Sequence, residues 1–204
     1  MLRPARRRAG GFSIIELMVV VTLIAFLAVL TVPAFGKWTA DAHVRAAAES
    51  LTNAIRLSQS MAVAKGRTSL FALTAATPPA YNSTPSATGP NWFAVLNPLA
   101  GSDETAANLG LLLMSTEGTQ HSVSIAGPAM VCFSSVGRQT SLASTQTSLA
   151  TACTTGADDT HPTTYTVSRT SATRSFKVLV YLGGRVRMCD AAKTLSSSNP
   201  DGCP

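Results

Sequence analysis

Two arginines near the C-terminus, Arg185 and Arg187, have a spacing suited to phosphate binding. They follow Gly183 and Gly184, a pair typical of a two-residue hairpin turn that needs positive φ. The sequence therefore predicts a returning strand, in which alternate residues share a face about 6.6 Å apart. That distance is close to two axial steps of one DNA strand, at about 3.4 Å each. Because a planar guanidinium binds phosphate oxygens bidentately, these two residues are candidate phosphate ligands.

The positive charge of the chain is concentrated in the same region. Between residues 68 and 164 the one basic residue is Arg138, against five acidic residues. After residue 164, six basic residues face two acidic ones, and Arg174, Lys177 and Lys193 could widen the arginine patch. The side of the hairpin on which Lys177 lies depends on the strand register. This distribution favours weak, salt-sensitive contact with a phosphate backbone.

Specific reading of bases is not indicated by the sequence. The aromatic residues nearby are Tyr165, Phe176 and Tyr181, and Phe176 belongs to the apolar face that alternates through Val178, Val180 and Leu182. An alternative interpretation is that the two arginines are solvated, or that they discourage pairing at a sheet edge.

The four cysteines all lie in the C-terminal half of the chain, which the N-terminal segment described below predicts to be exported, and an oxidising compartment outside the membrane favours disulfides over metal ligation. Sequence alone leaves three pairings open. We favour the local ones, Cys132–Cys153 and Cys189–Cys203, of which the second would tether the tail 190–204 beside the hairpin. No C-x-x-C occurs, and His161 near Asp158 and Asp159 is a weak cluster, so no metal site is predicted.

The sequence contains no pattern typical of an enzyme. It has no nucleophile elbow, phosphate loop or zinc-ligand spacing, and its histidines, His43, His121 and His161, are scattered. We therefore predict no catalytic residues and no cofactor.

The N-terminal segment combines a basic stretch, Gly11-Phe12, and an apolar run interrupted by Glu16. The run 12–32 has about the ~20 residues that a membrane-spanning helix needs. Arg3, Arg6, Arg7 and Arg8 precede it, which predicts a cytoplasmic N-terminus and an external C-terminal domain. Cleavage after Gly11 would leave twelve basic and ten acidic residues, so the formal charge of +6 overstates the basicity of the mature chain. An acid in such a helix usually has a specific partner.

The rest of the chain predicts a helix followed by β structure. Residues 38–65 are rich in alanine, with apolar positions at three- and four-residue steps, and Gly66 is a natural stop. Pro33 should kink this helix without ending it. From Thr68 onward short β-type runs alternate with Pro-, Ser- and Thr-rich loops at 74–90 and 139–164.

The predicted segments are a leader (1–11), a transmembrane or filament-core helix (12–33), an amphipathic helix (34–66) and a periplasmic β domain (67–204). The β-type runs are Thr68–Leu73, Trp92–Leu96, Ser122–Ile125, Met130–Phe133, Tyr165–Ser168, Phe176–Leu182 and Arg185–Cys189, while Leu109–Met114 is ambiguous.

Residues 10–33, GGFSIIELMVVVTLIAFLAVLTVP, resemble the N-terminal signal of type IV prepilins and type II secretion pseudopilins. The resemblance implies cleavage between Gly11 and Phe12 by a prepilin peptidase, and N-methylation of Phe12. It also implies that Glu16 pairs with the amino group of a neighbouring subunit during assembly with other major and minor pilins. The subunit would wait in the inner membrane with its C-terminal domain in the periplasm, and then enter a pilus at the cell surface.

Further segments are similar to the GspH/FimT group of minor pilins and pseudopilins: LTNAIRLSQSMAVAKGRTSLFAL, NWFAVLNP, VCFSSVGRQTS and FKVLVYLGGRVRMCD. This resemblance implies an α+β, type IV pilin-like fold, with a long N-terminal helix packed on an antiparallel β-sheet domain. In the FimT branch a C-terminal Gly-Arg-x-Arg is associated with DNA binding in natural transformation, and Gly184, Arg185 and Arg187 match it. The GspH side implies the alternative, a structural minor pilin or type II secretion pseudopilin that primes or caps the filament without binding DNA.

Overall fold

The structure is a computed structural model that describes residues 13–204, and for residues 30–34 it describes the backbone alone. The first element is a long helix, α1 (Ile14–Lys65), of 52 residues. It continues through Pro33, so the proline does not end the helix. It stops at Gly66, which has a left-handed φ of +64° and places the N–H groups of residues 66 and 67 on the last carbonyls.

Within residues 67–204, short strands form two sheets around the C-terminal half of α1. The first sheet contains β1 (Ser69–Thr74), β3 (Asn91–Leu96), β4 (Leu111–Ser115), β6 (Met130–Phe133) and β7 (Gln139–Thr140). The second contains β2 (Thr88–Gly89), β5 (Ser124–Ala126), β8 (Thr163–Ser168), β9 (Phe176–Val180), β10 (Val186–Thr194) and β11 (Gly202–Cys203). Their strand orders are β4-β3-β1-β6-β7 and β11-β10-β9-β8-β5-β2.

The strand pairs of residues 67–204 are antiparallel, except that β11 runs parallel to β10. Two short helices, α2 (Ala106–Leu109) and α3 (Glu117–His121), lie in the connections on either side of β4. The architecture is the predicted one, a long N-terminal helix packed on an antiparallel β domain, and the fold prediction is confirmed.

One apolar stripe of α1 forms the core with both sheets. Because its side chains recur at three- and four-residue steps, they lie on one face of the helix. The fully buried members are Val44, Ala47, Ala48, Leu51, Ile55 and Ala62. They pack against buried side chains of both sheets, among them Phe71, Trp92, Phe133, Tyr165, Val178 and Val180. The stripe predicted from the sequence therefore packs against the β domain.

Several local predictions differ from the structure. The run 122–125 was predicted as one strand, but Ser122 caps α3 with a φ of +53° and the strand begins at Ser124. The ambiguous run 109–114 is the end of α2 followed by β4. The predicted loop 139–164 holds β7, one 3-10 turn and the first two residues of β8, and the Cys132–Cys153 disulfide ties it to β6. The second disulfide joins Cys189 to Cys203, so both are the local pairings favoured from the sequence.

Candidate functional site

The candidate site is the hairpin formed by β9 and β10. Its strands pair in antiparallel register, with Val186 opposite Val180 and Met188 opposite Val178. The Tyr181 N–H donates to the Arg185 carbonyl at 2.9 Å, and the Gly184 N–H donates to the Tyr181 carbonyl at 2.8 Å. The predicted two-residue turn is therefore wrong. The loop has three residues, 182–184, because Leu182 enters the turn and Gly184 alone takes positive φ, +93°.

Gly184 also holds the hairpin tip against the rest of the domain. A Cβ atom at this position would lie 2.1 Å from the Gly137 carbonyl oxygen and 2.3 Å from Nε2 of Gln59. Gln59 of α1 donates to that same Gly137 oxygen at 2.6 Å, and the Gln139 N–H donates to the Leu182 carbonyl at 3.1 Å. The tip is thus fixed to α1 and to the β6–β7 turn.

This contact places Arg138 beside the hairpin. The sequence prediction did not include Arg138 among the candidate phosphate ligands. Arg138 follows Gly137 directly and is exposed, and Arg185 follows Gly184 directly. Each of the two arginines is therefore the residue directly after a glycine of the close Gly137–Gly184 contact. No short motif links these positions, which are 47 residues apart in the chain, so the sequence offered no signal for their proximity.

The register divides the hairpin into a core face and an outer face. Val178, Val180 and Val186 are buried in the main core, and Met188 packs against it. Arg185 and Arg187 lie on the opposite, outer face, as predicted. Lys177 pairs with Cys189 across the hairpin, which places it on the same outer face as the two arginines. The sequence alone did not determine on which side of the hairpin Lys177 lies, and this register does.

Arg185 is an exposed cation with a fixed position. Its guanidinium carbon lies 4.0 Å from the centroid of the Tyr181 ring, the geometry of a cation–π contact. Tyr181 is itself buried, in a small cluster with Leu179 and Cys189. Tyr165 and Phe176 are buried as well, so none of the three aromatic residues near the site is exposed for stacking on bases.

One nitrogen of the Arg187 guanidinium binds the C-terminal tail. Its Nη2 donates to the Pro200 carbonyl at 2.9 Å and to the Gly202 carbonyl at 3.0 Å. Together with the disulfide between Cys189 and Cys203, these bonds hold the tail along β10. Arg187 is therefore a positioning residue for the tail, and the other N–H groups of its guanidinium remain for a ligand.

The other two predicted basic residues lie beside carboxylates. Lys193 donates to Asp201 at 2.5 Å, and this bond lowers the pKa of the Asp201 carboxyl. The backbone N–H of Arg174 donates to Asp41 of α1 at 3.0 Å, and the positive charge of Arg174 also acts on Asp41 and Asp201. Because acids compensate these charges, Lys193 and Arg174 are weaker candidates for phosphate binding than Arg185.

The histidines form two small clusters outside the hairpin. His161 and Thr160 donate to Asp158 within an exposed loop, and these bonds, led by that of the Thr160 hydroxyl, lower the pKa of Asp158. His43 of α1 stacks on His121 of α3 with ring centroids 4.2 Å apart. Among residues 13–204, no group of three or more His, Cys, Asp or Glu side chains is placed to hold a metal ion.

The N-terminal part of α1 is exposed and apolar. Ile14, Ile24 and Phe26 are each more than 60% exposed, and Glu16 lies in the first turn of the helix with its side chain also exposed. The predicted cleavage site, Gly11 and Phe12, and the leader 1–11 lie outside the described residues. Within residues 13–204, no helix combines the length and the apolar character that crossing a membrane requires.

Comparison with known proteins supports the interpretation of the N-terminus. Residues 6–32 match the family model of the prokaryotic N-terminal methylation motif. The crystal structure of the type IV minor pilin FimU of Pseudomonas aeruginosa is similar over 73% of this chain and 94% of that chain, with 13% identity and a TM-score of 0.43. A comparison with curated protein sequences finds no match. The matched motif covers the segment in which the sequence predicts leader cleavage and N-methylation.

Proposed function

We propose that the chain is a minor type IV pilin that binds DNA non-specifically through the Gly184–Arg187 hairpin and takes part in DNA uptake and pilus assembly. The methylation motif at residues 6–32 and the exposed apolar start of α1 support the pilin part of this proposal. A prepilin peptidase would cleave after Gly11, and Phe12 would be N-methylated. Other pilins would then cover the apolar surface, with Glu16 pairing to a neighbour.

One observation carries the DNA-binding part: Arg185 and Arg187 lie on the same outer face of a hairpin whose tip is docked on α1. A fixed pair of guanidinium groups binds adjacent phosphates with little loss of side-chain entropy. Lys177 adds a third cation to that face. Because aromatic stacking positions are absent from the hairpin, binding should depend on the backbone charge and be independent of base sequence.

The hairpin would occupy two locations, one before the subunit enters a pilus and one after. The subunit would be held in the inner membrane with residues 67–204 in the periplasm, and would reach the cell surface in the pilus. A single hairpin with two or three phosphate contacts binds weakly, so several copies on one pilus would raise the overall affinity through avidity.

Titration of labelled duplex DNA tests the proposal. The mature chain, in micelles of an uncharged detergent, would be compared with Arg185→Ala and with Lys65→Ala at several salt concentrations. Lys65 is an exposed cation of α1 that lines a different groove, together with Arg67 and Glu104, so its removal is a matched loss of charge. We expect Arg185→Ala to weaken binding and to flatten the log–log salt slope by about 1, and Lys65→Ala to leave both unchanged.

A second function, a structural pilin or type II secretion pseudopilin without a DNA ligand, is favoured by the exposed apolar helix alone. Absence of parent binding at low salt would support it. Equal binding by the parent and Arg185→Ala would move the DNA site away from the hairpin.

A further inference from the structure

The N-terminal half of β10 is a sheet edge that faces α1. Alternate residues of β10 make the backbone hydrogen bonds to β9, so the backbone groups of Val186 and Met188 point away from β9. On that other side, β11 pairs with β10 only from Asp190 onward. At the free part of the edge, Nη2 of Arg56 donates to the Val186 carbonyl at 2.9 Å. Val186 is the residue between Arg185 and Arg187, so a third guanidinium lies beside the hairpin pair.

A groove of about 430 Å³ lies between α1 and this edge. Its lining includes Glu49, Asn53 and Arg56 from the helix and Val186, Arg187 and Met188 from the strand. The negative charge of Glu49 in this lining is balanced by Arg45, whose Nε donates to the Glu49 carboxylate at 2.8 Å. Arg56 and Arg187 therefore give the groove a net positive charge, and Asn53 and Arg56 are exposed to solvent along it.

We propose that the phosphate backbone of the bound DNA lies in this groove, and that Arg56 is a phosphate ligand in addition to the hairpin arginines. This inference rests on the proposed function. It extends the path of the DNA from the outer face of the sheet, where Arg185 lies over Tyr181, to the edge of β10, where Arg56 and Arg187 line the groove. Since Arg187 lines the groove while its Nη2 holds the tail, it connects the two surfaces.

The groove favours a nucleic-acid backbone over an added protein strand. A strand that extended the sheet would have to bond the Val186 carbonyl, and Arg56 already occupies that acceptor. A phosphate needs N–H donors instead, and a guanidinium bound to one carbonyl keeps further donors.

The test uses the mature chain in uncharged detergent micelles and labelled duplex DNA. Arg56→Ala removes the cation and also the Val186 contact, so a second variant is needed. Asn53→Asp introduces a negative charge into the groove without removing any contact described above. Lys65→Ala, on the same helix but outside the groove, is the matched control, and Arg185→Ala reports on the hairpin.

We expect Arg56→Ala and Asn53→Asp each to lower the affinity about 3- to 10-fold at low salt, and Arg56→Ala to reduce the salt slope by about 1. If both variants bind as Lys65→Ala does while Arg185→Ala is impaired, the DNA does not enter the groove and this inference fails alone. If the parent does not bind DNA, the proposed function fails with it. If Arg56→Ala self-associates but Asn53→Asp binds DNA normally, Arg56 protects the sheet edge and the inference is overturned.

Discussion

The guanidinium of Arg185 lies over the ring of Tyr181, with its central carbon 4.0 Å from the ring centroid. The ring comes from the last residue before the hairpin loop, and the cation from the first residue after it. The tyrosine is buried and fixed, whereas the arginine is exposed. The contact therefore restrains the position of a cation that would otherwise move freely in solvent.

Replacing this ring should weaken DNA binding without changing the fold. A cation–π contact at an exposed site is worth about 0.5–1 kcal/mol, so Tyr181→Leu should reduce affinity by about 2- to 5-fold. Tyr181→Phe keeps the ring face and should bind as the parent does. Anisotropy titrations of the three chains measure the effect, and an equal loss in the leucine and phenylalanine variants would assign it to the hydroxyl.

The two glycines of the loop should differ sharply in their tolerance of a side chain. Gly184 has positive φ, and an added Cβ would meet the Gly137 carbonyl and Gln59, whereas nothing lies within 4 Å of a Cβ at Gly183. We expect Gly184→Ala to lower the free energy of unfolding by about 2 kcal/mol or more, and Gly183→Ala to change it little. Thermal unfolding of both variants provides the measurement. Equal stability of the two would mean that the tip does not dock on Gly137.

Local patterns predicted the elements well, whereas contacts distant in sequence had to come from the structure. The spacing of apolar residues in the alanine-rich segment predicted the buried face of α1, and the alternation of apolar residues in β9 predicted its core face. Both patterns depend on neighbouring residues alone. The position of Arg138 beside Gly184, and that of Arg56 beside Val186, depend on how helix and sheets pack. The hairpin loop was predicted one residue too short, because Gly-Gly marks a turn without fixing where it begins.

The hydroxyl of Tyr165 should reduce the stability of the domain. The side chain is fully buried, and within residues 13–204 its hydroxyl has no hydrogen-bond partner. Burial also raises the pKa of this tyrosine. Because a buried hydroxyl without a partner costs about 1–3 kcal/mol, Tyr165→Phe should unfold at a higher temperature than the parent while keeping the edge contact with Phe71. A lower unfolding temperature would show that the hydroxyl is bound by water or another group.

The connection between β8 and β9 should loosen in acid because Asp41 anchors it to α1. The carboxylate accepts from the Thr173 hydroxyl at 2.6 Å, from the Thr173 N–H at 2.7 Å and from the Arg174 N–H at 3.0 Å. These bonds, led by that of the hydroxyl, lower the pKa of Asp41 in the folded chain. A carboxyl whose folded pKa is depressed stabilises the fold above its unfolded pKa, about 3.9, and loses that stabilisation as the pH falls through the folded value.

Between pH 5 and pH 2, the unfolding temperature of the parent should therefore fall more than that of Asp41→Asn, which has no charge to lose at this position. The protection factor of the Thr173 amide, the intrinsic exchange rate at the same pH divided by the observed rate, should also fall at low pH in the parent, since the acceptor of this amide becomes protonated. Hydrogen exchange and thermal unfolding, recorded at matched pH values for both chains, measure the two effects. Parallel pH profiles would mean that Asp41 titrates alike in the folded and unfolded chain, and that its three bonds do not distinguish the two states.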